Sequence, residues 1–371
     1  MDLCHLARRR LPAPVFHFLE GGSDDEESLR RNCDSFERYA LVPSYGVDVT
    51  RVDLSSAILG RAVGVPLILA PTGMSRLFHH EGELAVARAA AKFGAWYTLS
   101  TMGTCSIEEV AAVSNGPLMF QIYVHRDRGL TTEFVARCKA AGYHALCVTI
   151  DVPVLGNRER DRVTGMTIPP RFGLGSLWSF ATHPAWSLRA VTGPKLQLAN
   201  VAHRREAKVG TVSLIEYANS QFDRSVTWAD IRWLVEQWQG PFVIKGVLSV
   251  ADAMRAAEAG ATAIMVSNHG GRQLDGAVAP AAMISRIRDA VGSRLQVILD
   301  GGVRRGGHIV KAVALGADAC AIGRPYLYGL AAGGQAGVER ALALLKAELE
   351  RDLALLGCTD LRQVGRQHLD L

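Results

Sequence analysis

The sequence predicts an α/β protein built as a (β/α)8 (TIM) barrel, and three observations carry that expectation. Eight short, β-branched or apolar runs recur along the 371 residues. They are almost continuously apolar, as strands buried on both faces of a parallel sheet must be. Between them lie stretches rich in Ala, Leu, Arg and Glu, such as "GELAVARAAAKFG" and "SVADAMRAAEAGA", with helical spacing and a closing glycine. Eight such units make a closed barrel the leading architecture. A doubly wound open sheet is the runner-up. It is weakened because no Gly-x-Gly-x-x-Gly follows the first strand and no Walker loop occurs.

Taken in order, residues 1–65 form an extension before the barrel and open on a helical segment, "LCHLARRRLPAPVFHFLEGG". The expected strands are "PLILAP" (66–71), "WYTLST" (96–101), "LMFQIYV" (118–124), "ALCVTID" (145–151), "PFVIKGV" (241–247), "AIMVSNH" (263–269), "QVILDGG" (296–302) and "ADACAIG" (317–323). The barrel is expected over 66–357, within a single domain of 1–371. Residues 154–226 separate the fourth strand from the helix "TWADIRWLVEQW". That is far beyond the roughly 2–6 residues usual for a βα loop. The segment contains "GLGSLWSFATHPAWSL", with two tryptophans, a phenylalanine and few charges. It reads either as a lid over the barrel mouth or as a surface for a membrane or partner.

Composition narrows the classes. With 49% hydrophobic and 21% charged residues the chain is too apolar for disorder. The net charge of +5 is spread along the chain, apart from short clusters at Arg8-Arg9-Arg10 and Arg204-Arg205. That pattern is a solvated face rather than a polyanion site, so no nucleic-acid partner is expected. A weak pull toward an anionic membrane surface or anionic small substrates remains. The seven cysteines are odd in number and scattered, without Cys-x-x-Cys. They suit buried thiols in a reducing, cytoplasmic compartment, and no metal-ligand set is expected. The amino terminus lacks the order of charge and apolar core that marks a signal peptide, and no run of about 18 apolar residues occurs.

In a barrel of this kind function gathers where the strands end. The strand ends carry Pro71-Thr72-Gly73, Ser100-Thr101-Met102, Gln121 with Tyr123, Thr149 with Asp151, and Lys245. Further along come Ser267 with His269, Asp300-Gly301-Gly302, and Gly323-Arg324; Arg158 and Arg272 lie just beyond their strands. Any one of these could merely satisfy backbone. Two carboxylates, a histidine, a lysine and three arginines on one rim are costly unless used. "DGGVRRGG" and "GR", after strands seven and eight, suit backbone amides aimed at a phosphate, with Arg324 adding charge. His269, in "SNHGGRQLDG", is a plain turn histidine if taken alone. A carboxylate behind it, Asp151, would fix its tautomer and make it a competent base. Arg158 and Arg272 would clamp a small carboxylate.

"SNHGGRQLDG", "RRLPAPVFHFLEGG", "LAPTGM", "FQIYV", "RER", "VIKGV", "ILDGGVRRG" and "AIGRPYLYGL" together span nearly the whole chain. In this combination the chain resembles the FMN-dependent 2-hydroxy acid oxidase and dehydrogenase family, which includes glycolate oxidase, L-lactate dehydrogenase and (S)-mandelate dehydrogenase. The resemblance implies FMN as cofactor and oxidation of an L-2-hydroxy acid to the 2-oxo acid, L-lactate to pyruvate first. An (S)-mandelate or other aryl or long-chain substrate is the alternative. By resemblance His269 is the base, with Asp151 behind it. Arg158 and Arg272 bind the substrate carboxylate, and Tyr123 hydrogen-bonds the substrate. Lys245 lies at the flavin pyrimidine edge and stabilises negative charge on the reduced cofactor. Pro71, Thr72, Gly73, Ser100, Gln121 and Thr149 hold the isoalloxazine, with Ser267 in the same wall. Asp300 holds the ribityl chain, and Gly302, Arg304, Gly323 and Arg324 hold the phosphate.

Three positions bear on substrate and acceptor. Phe18 stands where many members have a tyrosine that binds the carboxylate, a loss of about 1 kcal/mol or somewhat more. Met102 stands where glycolate oxidase has tryptophan. Both changes disfavour glycolate without choosing lactate over a larger side chain. Gly73 stands where oxygen-using members often have alanine, which favours a dehydrogenase passing electrons to a quinone or other carrier, with an oxygen-using 2-hydroxy acid oxidase as the alternative. "SLWSFATHPAWSLRAV" is similar to the membrane-docking segment of the lactate dehydrogenases. It implies peripheral contact through 171–200 with the inner face of the cytoplasmic membrane. The resemblance also implies a homotetramer.

Overall fold

The computed structural model describes residues 2–167, 170–202 and 222–370. Eight parallel strands close into a barrel: β1 (Leu67–Leu69), β2 (Trp96–Ser100), β3 (Leu118–Ile122), β4 (Ala145–Thr149), β5 (Phe242–Val247), β6 (Ala263–Ser267), β7 (Gln296–Asp300) and β8 (Ala319–Ile322). Each pairs with its sequence neighbours, and β8 returns to β1. The open-sheet alternative is thereby excluded. All eight fall inside the runs expected from the sequence, trimmed at the ends where the chain turns out of the ladder.

The helices in chain order are α1 (Asp2–Arg10), α2 (Ala13–Glu20), α3 (Glu27–Asp34), α4 (Gly82–Lys92), α5 (Ile107–Val113), α6 (Arg128–Ala140) and α7 (Glu159–Val163). Then follow α8 (Leu174–Ala181), α9 (Pro184–Thr192), α10 (Trp228–Trp238), α11 (Val250–Glu258), α12 (Ala281–Val291), α13 (Gly306–Ala314) and α14 (Arg324–Leu356). Local chemistry starts several of them. Ser106 and Glu109 form a capping box at α5, Asp230 accepts from the Thr227 amide and hydroxyl at the start of α10, and Ser249 caps α11.

The barrel has two cores. One packs the strands' outer faces against the helices. The other fills the interior with Ile68, Trp96, Met119, Val243, Met265 and Ile298. Ile58, Leu59 and Val63 join this inner core from an antiparallel hairpin, Ser56–Ile58 with Arg61–Val63. Gln296 fastens the hairpin to the start of β7 by accepting from the Leu59 amide and donating to the Ala57 carbonyl. The amino-terminal extension is therefore more than helical: the hairpin plugs the closed end of the barrel. Another part of the extension reaches the open end, where Phe18 and Leu19 of α2 help to line the mouth. Asp275 accepts from the Glu27 and Ser28 amides at the start of α3, and Asn32 and Asn268 exchange side-chain hydrogen bonds.

The long connection carries α7, α8 and α9, with Phe222 closing its far end against His125. Residues 168–169 and 203–221 of this connection, including Arg204 and Arg205, lie outside the described residues.

Candidate active site

Because all eight strands run the same way, their carboxyl ends deliver side chains to one rim. A cavity of about 250 Å³ opens there. Of the site residues named from the sequence, Phe18, Pro71, Thr72, Gly73, Ser100, Met102, Tyr123, Arg158, Lys245, His269, Arg272, Asp300, Gly302, Arg304, Gly323 and Arg324 line it. Gln121, Thr149, Asp151 and Ser267 do not. Gln121 accepts from Ser100 through Oε1 at 2.9 Å, and Thr149 lines a neighbouring cavity that shares Tyr123. Asp151 stands behind His269, and Ser267 stands between Lys245 and Asp300.

His269 leaves β6 with φ of +59°, a conformation uncommon outside glycine and tolerated where surroundings enforce it. Two contacts enforce it. Its amide donates to Ser267 Oγ at 3.0 Å, and its Nδ1 meets Asp151 Oδ1 at 2.9 Å. A neutral imidazole donating from Nδ1 to that carboxylate leaves Nε2 as the acceptor. Burial pulls the imidazole below the usual 6.5, opposed by Asp151 and reinforced by Lys245. The carboxyl of Asp151 is held low by His269 and Lys245 against the opposing effect of burial. The pair is thus a neutral imidazole backed by an ionised carboxylate, which is what a general base needs. Gly270 and Gly271 follow with φ of +66° and +75°, and a Cβ on Gly271 would sit 2.5 Å from the Leu29 amide nitrogen. Only glycine lets the chain double back there and bring Arg272 to the same cavity.

Arg272 donates to the carbonyls of Phe18 and Gly21, and its guanidinium lies 5.3 Å from the centre of the Phe18 ring. Burial, with Arg158 and Arg324 nearby, pulls it well below the ordinary arginine range. Among the described residues Arg158 has only a loose partner, Asp161 at 3.8 Å. Two guanidiniums facing one buried space with one distant carboxylate favour an anion between them. Tyr123 is pushed up to about 12, chiefly by burial and then by Asp151, so its hydroxyl keeps its proton.

Lys245 donates to Ser267 Oγ, which donates to Asp300 at 2.7 Å, and the ammonium also lies 3.1 Å from Asp300. Burial opposes that charge, but Asp300 and Asp151 outweigh it and hold the ammonium above the usual lysine range. Sequence reasoning assigned these residues separately and missed the chain that joins them. It also missed Phe222, whose ring meets Tyr123 edge-on at 4.7 Å, and Gln273. Gln273 donates to the Asp151 and Val154 carbonyls and accepts from the Gly156 amide, pinning the loop after β4. Neither carries a local signal, since each acts through residues more than ninety positions away.

The cavity fits the FMN that the resemblance implies. Around it, three buried donors have no partner among the described residues: Gln121 Nε2, Thr149 Oγ1 and Arg324 Nε. The first two lie beside the wall expected for the isoalloxazine, whose ring oxygens and nitrogens are acceptors. The third lies at the amino end of α14, where helix dipole and guanidinium both favour a phosphate. Gly302 has φ of +80°, and a Cβ there would fall 1.9 Å from the Asn32 carbonyl oxygen. Gly302→Ala is therefore expected to lose FMN and to melt earlier. The backbone conformation alone costs alanine about 1–2 kcal/mol. A flavin-to-protein absorbance ratio and melting temperature equal to those of the unaltered protein would remove Gly302 from the cradle.

Known proteins resemble this chain over its length. The model of the FMN-dependent dehydrogenase family matches residues 7–371. An L-lactate oxidase of Nostoc sp. is 44% identical over 99% of this chain and 96% of its own. An L-lactate dehydrogenase of Caulobacter vibrioides is 42% identical over 98% of this chain and 95% of its own. The crystal structure of the monotopic membrane protein (S)-mandelate dehydrogenase superposes with a TM-score of 0.96 at 39% identity. That match covers 100% of this chain and 98% of that one.

Proposed function

The chain belongs to the FMN-dependent dehydrogenase family, and from that premise we propose that it oxidises an L-2-hydroxy acid to the 2-oxo acid, L-lactate first. The observation that carries the reading is the His269–Asp151 pair facing the same cavity as Arg158 and Arg272. FMN, when bound, supplies the two-electron acceptor that no side chain offers.

The residues' work follows from their chemistry. Arg158 and Arg272 grip the substrate carboxylate, and the Tyr123 hydroxyl donates to the substrate and helps to fix its orientation. His269 Nε2 accepts one of the two protons that oxidation of the alcohol releases. Asp151 stabilises the resulting imidazolium through Nδ1. Lys245, held by Ser267 and Asp300, presents a permanent positive charge to the isoalloxazine wall. Asp300 takes the ribityl chain, while Gly302, Arg304, Gly323 and Arg324 take the phosphate. Electrons leave to a quinone or similar carrier, a reading supported by Gly73 at the cavity wall.

A second reading of the side chain, an aryl group such as that of (S)-mandelate, is supported by the apolar lining of Phe18, Phe78, Met102, Leu155 and Phe222. Initial rates with L-lactate, (S)-mandelate and glycolate, using a soluble dye as acceptor, test both. Highest kcat/KM on L-lactate supports the first reading and highest on (S)-mandelate the second; glycolate as the best substrate contradicts both.

The pH profile tests the base. His269 must be neutral to accept a proton, and its pKa lies below 6.5. kcat/KM is expected to be flat at neutral pH and to fall only as the pH drops through that lowered value. A midpoint above 6.5 would contradict the assignment.

Among the described residues no helix is long and apolar enough to cross a membrane. The proposal includes peripheral contact through 171–200 with the inner face of the cytoplasmic membrane. Leu174, Trp178 and Val191 on α8 and α9 are 87%, 72% and 84% exposed. Removal of 171–200 is expected to release the protein from membranes in sedimentation; unchanged partitioning would contradict the contact. A homotetramer, carried by the resemblance alone, is tested by light scattering.

A further inference from the structure

A second cavity, of about 430 Å³, lies across Phe78 from the first, and that ring lines both. Four arginines line its walls: Arg9 and Arg10 at the end of α1, Arg76, and Arg189 of α9. Among the described residues no aspartate or glutamate lines it. Among the described residues Arg9, Arg10 and Arg189 have no carboxylate partner. Arg76 donates from Nη1 to the Thr104 carbonyl, yet its Nε is buried with no partner. His79 reports the same surplus of positive charge. Burial and the neighbouring His80 bring its imidazole down to about 4; Glu81, 3.5 Å away, opposes this, while Arg189 and Arg10 push the same way as His80.

Positive charge focused in a concavity without counter-ions draws an anion, and guanidinium forks match phosphate oxygens. The rest of the lining is apolar, with Leu11, Leu77, Phe78, Trp186 and Leu196. A free inorganic anion would leave that surface in contact with water. An anion carrying a short apolar body would cover it. The cavity also borders α9, and neither α8 nor α9 buries a single residue. Leu177 and Leu188 add to the apolar side chains that those helices present outward. Head site and apolar face adjoin, as an amphiphile requires.

We propose that this cavity binds the phosphate headgroup of an anionic phospholipid, with the guanidiniums of Arg9, Arg10, Arg76 and Arg189 around the phosphate and the glycerol end against Leu77 and Trp186. The site is separate from the substrate cavity. It stands whether or not α8 and α9 enter a bilayer, because a short-chain lipid reports on it in solution.

The test is a calorimetric titration of the FMN-loaded full chain with dihexanoyl phosphatidylglycerol below its micelle concentration. Parallel titrations use dihexanoyl phosphatidylcholine and inorganic phosphate. The expected result is saturable one-to-one binding of the anionic lipid, with the zwitterionic lipid and phosphate each weaker by about tenfold or more. Arg9→Gln, Arg10→Gln and Arg189→Gln combined should weaken binding by about tenfold or more. None of the three side chains donates a hydrogen bond within the described residues, so the fold and FMN content should hold. A control triple of exposed arginines elsewhere, Arg232→Gln, Arg286→Gln and Arg340→Gln, removes the same charge and should leave affinity within about twofold. Equal weakening in both triples would reduce the effect to net charge and overturn the site. So would equal affinity for both lipids, or no saturable binding. Phosphate binding as tightly as the anionic lipid would overturn the lipid assignment in favour of a free anion.

Discussion

His269→Gln is expected to keep its FMN and to lose reduction of that FMN by substrate by about 10²–10⁴-fold. Glutamine approximates the reach of the imidazole and can still donate to Asp151, but it cannot accept a proton at neutral pH. Apart from Ser267, the cofactor contacts lie on other strands, so the flavin spectrum should persist. Asp151→Asn gives an independent reading of the same pair. An asparagine amide donating toward Nδ1 would shift the imidazole proton onto Nε2, leaving no lone pair to face the substrate. Loss should again be severe although His269 is intact. Rapid mixing under anaerobic conditions measures both variants. Normal reduction in His269→Gln would take the base role away from His269.

Arg272→Met is expected to weaken substrate binding by about 10–100-fold, the effect of losing a charge-assisted contact to a carboxylate. It should raise KM more than it lowers kcat, because the carboxylate is bound in ground and transition states alike. The variant should also melt earlier, since the guanidinium satisfies the Phe18 and Gly21 carbonyls at the end of α2. Arg158→Met separates the two effects. Its one side-chain partner among the described residues is Asp161 at 3.8 Å, so binding should fall with little change in melting temperature. An unchanged KM in Arg272→Met would make Arg158 the principal clamp.

Much of this site could be read before the structure, for a physical reason. A parallel barrel strand has two buried faces, so it announces itself as an apolar run, and its last residues must sit on the rim. That is how Thr149, Lys245, Ser267 and Asp300 could be placed together from strands far apart in sequence. The hairpin at Ser56–Ile58 and Arg61–Val63 escaped because three-residue strands carry no periodicity. The tether of Arg272 to α2 escaped because it depends on how the extension lies across the mouth. The Lys245–Ser267–Asp300 chain escaped because it joins three strands side by side, where sequence shows only three separate polar ends. Phe222 could not be foreseen as a wall of the substrate cavity, since it lies near the far end of a connection of more than seventy residues. Composition did foresee the apolar character of α8 and α9, though not the basic cavity beside them, which needs α1, the turn at Arg76 and α9 in one place.

The most direct test of the account is anaerobic mixing of the FMN-loaded protein with L-lactate, (S)-mandelate and their enantiomers, followed by flavin absorbance. At least one L- or (S)-hydroxy acid is expected to bleach the flavin. The matching enantiomer should not, and His269→Gln should retain the flavin but stay coloured. Bleaching by neither enantiomer of either acid, or equal bleaching by both, would contradict the account.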